Sequence, residues 1–205
     1  MSAGRASLVR ENPNLVLTPR AMPDALRCVI GLGANLGDRL ATFESVVREL
    51  AGLGKVTGVS QLYETDPVGG PVQPDYFNAA VCLETELEPT SLLVHLLEIE
   101  RNHGRVRQLR WGPRHLDLDI LWIEGRAIHE LGLTIPHARL LERNFALVPL
   151  LEVAPDALDP NTGLAYCEAS IAGNREGMRL RGSRLCPPEQ VAGRSDPVSL
   201  WSLRS

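Results

Sequence analysis

Lysine is almost missing from this 205-residue chain: Lys55 stands alone against twenty arginines. The formal net charge is nonetheless −4, so nothing pulls the whole chain toward nucleic acid or an anionic membrane. The four cysteines, Cys28, Cys82, Cys167 and Cys186, contain no CxxC pair. That spacing spells out neither a zinc site nor a disulfide framework, and a reducing, cytoplasmic setting is the expectation. No segment approaches 18 uninterrupted apolar residues, and the N-terminus lacks an apolar core of signal-peptide length. Internal repeats are absent, and so is a GxxxxGK[ST] phosphate loop.

What is present suffices for one domain with a sizeable core. Residues 1–24 are rich in Pro, Asn and Arg and lack periodicity, which predicts a disordered extension. "RCVIGLG", 27–33, predicts a buried strand, and "ANLGDR" a turn. Phe43, Val46, Val47, Leu50 and Leu53 keep helical spacing from Asp38 up to a stop at Gly54. Lys55–Tyr63 reads as one strand, and Tyr76–Leu87 as another. Between them "ETDPVGGPVQPD" is a long irregular loop, a type that is often functional. A second helix opens at Pro89 and ends at Gly104. Its stripe is Leu92, Leu93, Leu96, Leu97 and Glu100.

An Asp-bearing strand follows from 116, then a short strand near Arg126–Ile128 and helical turns over 135–156, broken at Pro149 and stopped at Pro155. The order β-α-β-β-α-β followed by helices predicts an α+β fold: a ferredoxin-like core with additional C-terminal helices on a mostly antiparallel sheet. The catalytic domain is expected over 25–172. Residues 173–205, rich in Gly, Pro, Ser and Arg, are expected to be a mobile tail.

Within "RWGPRHLDLDILWIEG", Asp117 and Asp119 interrupt an apolar run. Residues i and i+2 of a strand share a face, so the two carboxylates project together while Leu116, Leu118 and Ile120 point into the opposite layer. Side-by-side burial of two like charges is unfavourable without compensation. Two hard divalent cations would supply it. A solvated sheet end, or pairing with arginines, would do so equally well for a pattern this short.

The preceding loop adds Arg105, Arg107, Arg110 and Arg114, and no acid. That is more guanidinium than two carboxylates need, and arginine suits bidentate contact with phosphate. Together they form the inventory of a magnesium–polyphosphate site. "GLGANLGDR" does not match GxGxxG and reads as a tight structural turn. Tyr76 and Asn78 share a strand face, which taken alone is compatible with packing, as is Phe145. His103 suits a helix C-terminus and His95 a helix surface. A two-metal nuclease or phosphatase, or a nucleotide-sensing module, shares parts of this inventory.

Taken in order, "GLGANLGDR", "YETDPVG…QPDYFNAAV", "GRVRQLRWGPRHLDLDIL" and "IPHARLLERNFALVPLLEVAPD" resemble the signatures of the 6-hydroxymethyl-7,8-dihydropterin pyrophosphokinase family, over about residues 27–160. The resemblance implies transfer of pyrophosphate from ATP to the pterin hydroxymethyl group, with release of AMP. It implies ATP as co-substrate, two Mg²⁺ ions held by Asp117 and Asp119, and catalytic roles for Arg105, Arg114 and both aspartates. It assigns ATP contacts to Glu100, Arg105, Arg107, Trp111, Arg114, Ile120, His137 and Arg143. Pterin contacts fall to Thr65, Asp66, Val68, Tyr76, Asn78, Trp111 and Phe145, with Tyr76 and Phe145 stacking on the two faces of the ring. Partners are small molecules only, not nucleic acid or membrane, and the protein is expected to be a monomer. Leu97, Ala138 and a slightly short basic loop depart from some relatives.

Overall fold

The computed structural model describes residues 25–104 and 112–185. Among them a six-stranded sheet carries helices on both faces, a mixed α/β architecture in which the paired strands run antiparallel. No described helix is long and apolar enough to cross a membrane.

Strand β1 (Leu26–Ala34) is central, between β4 (Tyr76–Thr85) and β5 (Asp117–Ile123). Helix α1 (Arg39–Ala51) follows β1, started by the Asp38 carboxylate, which accepts the Ala41 N–H at 3.1 Å. Gly54, expected as a helix stop, serves a close approach instead. A Cβ there would stand 2.3 Å from the Glu84 carbonyl oxygen, so only glycine lets the chain pass β4.

The single strand expected over 55–63 is two, β2 (Lys55–Val59) and β3 (Gln61–Thr65), both on β4. Ser60 joins them. Its N–H donates to the Ala80 carbonyl, while its hydroxyl oxygen accepts the Ala80 N–H at 2.8 Å, a side chain standing in for the backbone ladder. Helix α2 (Pro89–Asn102) buries Leu92, Leu96, Ile99 and Glu100, and Gly104 leaves it at φ +80°.

Beyond β5 comes a small hairpin, β6 (Ile128–Glu130) with β7 (Leu133–Ile135). A 3₁₀ turn at Leu140–Glu142 precedes α3 (Asn144–Val153). The break expected at Pro149 does not occur; α3 runs through it. In so short a helix the proline removes a single i→i−4 bond, and Leu147, Val148 and Leu150 around it are buried.

Alternation along the strands builds two cores. Cys28, Ile30, Leu32, Leu118 and Ile120 pack with α1 and α2 on one face. Val29, Cys82, Leu121 and Trp122 pack with Leu140, Leu147, Leu150 and Tyr166 on the other. Adjacent Leu121 and Trp122 share a side because the β1–β5 register shifts at Val29/Ile30.

The part of the expected mobile tail that is described behaves otherwise. Met178–Arg184 is a strand, β8, paired antiparallel with β3. Arg179 and Arg181 meet acids, and the apolar alternation is only Met178 and Leu180 before Gly182, too short to mark a strand. Residues 1–24 and 186–205 lie outside the described residues.

Candidate active site

On the α3 face, where β1, β4 and β5 lie side by side, the sheet opens into a cleft of about 290 Å³. Its floor includes two glycines. Gly31 pairs across β1–β5 with Asp119, and Gly33 with Asp117; on the other flank Gly33 pairs with Asn78. Gly31 and Gly33 end the strand expected over 27–33 and also open the "GLGANLGDR" stretch read as a tight turn. They are strand residues, and the turn belongs to Gly37 at φ +67°. A Cβ on Gly33 would meet the Asn78 amide oxygen and the Asp117 Cβ, each at 3.7 Å. The missing side chain therefore keeps open the space between an amide and a carboxylate. Replacing Gly33 with Val should preserve or raise the melting temperature, since a strand glycine costs about 0.5–1 kcal/mol. The same change should block the floor, and turnover set beside thermal unfolding checks both halves.

Asp117 and Asp119 both line the cleft and are half-buried. Two nearby elements fix their strand. The Leu118 N–H between them donates to Glu100 Oε1 at 2.7 Å. Arg114 Nη1 donates to Asp117 Oδ2. Among the described residues no group of three His, Cys, Asp or Glu side chains gathers as a metal cluster. Mg²⁺ does not require such a cage. It is commonly held by one or two carboxylates, with water and substrate phosphate completing the octahedron. A carboxylate pair facing an open, arginine-lined cleft fits that ion better than zinc or calcium.

Cations ring the same opening. Arg114, Arg139 and Arg143 line it together with Glu142. His137 stands beside them: its ring Nδ1 accepts the Arg139 backbone N–H at 3.2 Å, and its backbone N–H donates to the Leu121 carbonyl. Burial pushes the His137 pKa down, against the opposing pull of Asp119. Arg143 is likewise lowered by burial and by neighbouring Arg139.

Aromatic and amide side chains line the same cleft beside these charges. Tyr76 and Asn78 enter from β4 and Phe145 from the first turn of α3; Thr65, Asp66 and Val68 come from the end of β3 and the loop 66–75. The Asn78 amide donates to Thr65 Oγ1 at 2.7 Å. The Tyr76 hydroxyl donates to the Gly112 carbonyl at 3.1 Å, and burial raises its pKa. The Arg143 guanidinium lies 5.7 Å from the Phe145 ring centroid, a cation–π distance.

Some expected contacts fall elsewhere. Ile120 is packed in the core on the helix face of the sheet, so a nucleotide contact there would have to come from its main chain. Glu100, only 1% exposed, does not line the cleft; its carboxylate anchors β5. Arg105, Arg107 and Trp111 lie outside the described residues.

The sequence reading passes over Gln73, Arg139 and Asn35. Gln73 and Arg139 line the cleft. Asn35, 2% exposed, is a junction: its amide donates to Gln73 Oε1 at 3.0 Å and to the Pro74 carbonyl at 2.9 Å, and its Oδ1 accepts the Arg114 N–H at 2.7 Å. One side chain thus couples the 66–75 loop to the segment entering β5. The only signal for it was its place in "GLGANLGD".

The family model of 7,8-dihydro-6-hydroxymethylpterin-pyrophosphokinase (HPPK) matches residues 29–155, more than half of the chain. The chain belongs to this family. The 2-amino-4-hydroxy-6-hydroxymethyldihydropteridine pyrophosphokinase of Synechocystis is 44% identical over 172 residues, covering 80% of this chain and 87% of the relative. The protein of the same name from Methylorubrum extorquens is 45% identical over 132 residues, 63% of this chain and 84% of the relative. Among solved structures, Plasmodium falciparum HPPK-DHPS A437G with SDX-DHP superposes at a TM-score of 0.59 and 16% identity, over 76% of this chain and 49% of that one. The likeness to that longer protein is one of fold. All the elements that build the cleft, from β1 to α3, fall within or beside the stretch that the HPPK model matches.

Proposed function

We propose that this chain transfers a pyrophosphoryl group from ATP to 6-hydroxymethyl-7,8-dihydropterin, giving the pterin diphosphate and AMP, in tetrahydrofolate biosynthesis. One observation carries the proposal. A single cleft joins the Asp117/Asp119 pair and its arginines to Asn78, Tyr76 and Phe145. A nuclease or phosphatase needs the first set but has no use for the second. The sheet order β5-β1-β4-β3, with α1 and α2 on one face, supports a ferredoxin-like core to which α3 and the 3₁₀ turns are added.

In the reaction the pterin hydroxyl oxygen bonds to the β-phosphorus, the bond from that phosphorus to the α–β bridging oxygen breaks, and the hydroxyl proton is lost. Such chemistry rests on positioning and charge. Tyr76 and Phe145 would sandwich the pterin ring, and Asn78, held by Thr65, would read its polar edge. Asp117 and Asp119 would hold two Mg²⁺ ions. Bound there, they would neutralise phosphate charge and acidify the attacking hydroxyl. Arg114 and Arg143 would bind the phosphates, with Arg105, Arg107 and Trp111 contributing from the preceding stretch of sequence. His137, whose pKa burial lowers and whose Nδ1 accepts the Arg139 N–H, would offer Nε2 as a donor to a phosphate oxygen. We read the protein as a cytoplasmic monomer acting on small molecules.

Calorimetric titration tests the shared cleft. Pterin should bind more tightly with a Mg²⁺-bound, non-hydrolysable ATP analogue present than without it, because the two ligands complete one site. Equal affinity in both titrations would separate the sites and defeat the reading.

A further inference from the structure

Strand β8 lies beyond residue 155, where the family match ends, yet it pairs with β3 and meets the 66–75 loop at the cleft. Loop 66–75 has no regular structure and contributes Asp66, Val68, Gly69 and Gln73 to the cleft. It springs from the paired ends Thr65 and Tyr76. Its first and last residues are both acids, and Glu64 adds a third carboxylate two residues before the first.

A single side chain spans the loop's two ends. Arg179 Nη1 donates to Asp66 Oδ1 at 2.9 Å and Nη2 to Asp75 Oδ2 at 2.6 Å, with Nε 3.7 Å from Glu64. A planar guanidinium is shaped for such a fork, and a lysine ammonium is not. Arg181, two residues on, pairs with Glu64 at 2.7 Å and has no bond to the loop acids among the described residues. Arg39 Nη1 also reaches Glu64 at 3.3 Å and the Asp75 carbonyl at 2.8 Å, but among the described residues it is Arg179 that pairs with both loop acids.

We propose that Arg179 is a positioning residue for the pterin: from β8 it clamps both ends of loop 66–75 and so sets pterin affinity. The inference rests on the pterin reading of this cleft. Exposed ion pairs contribute little to global stability, but a loop without regular structure responds to small energies. A merely structural β8, guarding the edge of the sheet, would make Arg179 and Arg181 equivalent.

The test uses the full chain and compares pterin KM, Mg-ATP KM and kcat in Arg179→Ala, Arg179→Lys, Arg181→Ala, Asp75→Asn and the double variant Arg179→Ala/Asp75→Asn. Arg179→Ala should raise pterin KM about fivefold, with kcat and Mg-ATP KM within about twofold of the parent. Arg179→Lys should recover part of the loss, Asp75→Asn should act in the same direction, and the double variant should be no worse than the stronger single. Arg181→Ala should keep the parental pterin KM. A parental pterin KM in Arg179→Ala, an equal rise in Arg181→Ala, or additive losses in the double variant would overturn the inference. If the parent protein itself formed no AMP from pterin and ATP, the proposed function would fall, and this inference with it.

Discussion

Asp117→Asn and Asp119→Asn are each expected to lower kcat by about a thousandfold, a loss of about 4 kcal/mol of transition-state stabilisation. Asparagine keeps the volume and removes the charge that would hold a divalent cation. The fold should survive, because the carboxylates line an open cleft and the apolar side of β5 is untouched. The two variants differ in one respect. Asp117 is paired with Arg114, so its replacement gives up an ion pair, although a part-exposed one. Either change also relieves repulsion between like charges on one strand face. Both melting temperatures should therefore stay within a few degrees of the parent. Near-normal turnover at saturating Mg²⁺ in either variant would sink the metal assignment.

Phe145→Ala should weaken pterin binding by about 10- to 100-fold, as expected for losing one aromatic face against a heterocycle, with little effect on Mg-ATP affinity. Phe145 sits in the first turn of α3 and lines the cleft, while the helix is anchored by buried Leu147, Val148 and Leu150. Its loss should thus be felt at the site more than in the core. Tyr76→Ala should match it in magnitude but mixes two effects, because the Tyr76 hydroxyl also bonds to Gly112 and Gln73. Tyr76→Phe separates them: the ring stays and the two hydrogen bonds go, so pterin affinity should fall far less. Pterin affinity unchanged in Phe145→Ala would show that the ring only packs.

Particular residues show what was legible beforehand. The shared face of Asp117 and Asp119 follows from strand geometry, and Leu116, Leu118 and Ile120 indeed lie in the opposite layer. The period fails two residues later, where a register shift turns Leu121 and Trp122 to the same side; a bulge leaves no mark in an apolar run. Glycine at 31 and 33 fell in the strand expected over 27–33 and also in a stretch read as a tight turn, because turns are its commonest use. Here the reason is the neighbours across the ladder, which sequence distance hides. Ser60 broke an expected strand by lending its hydroxyl to the ladder. Strand β8 escaped because its stabilising partners are acids on β3 and the 66–75 loop, and its apolar alternation stops after Met178 and Leu180. Thr65, Tyr76, Asn78, Arg143 and Phe145 do converge on the cleft, whereas Glu100 and Ile120 serve the scaffold behind it.

The central claim, pyrophosphoryl and not phosphoryl transfer, is tested most directly by separating the nucleotides after a short incubation with Mg-ATP and 6-hydroxymethyl-7,8-dihydropterin. Attack at the β-phosphorus makes AMP the leaving group. An enzyme that gathered charge only around the γ-phosphate would release ADP. The account predicts AMP as the nucleotide product, one per pterin consumed, and none above background when pterin is omitted. ADP as the main product, or equal AMP formation without pterin, would contradict it.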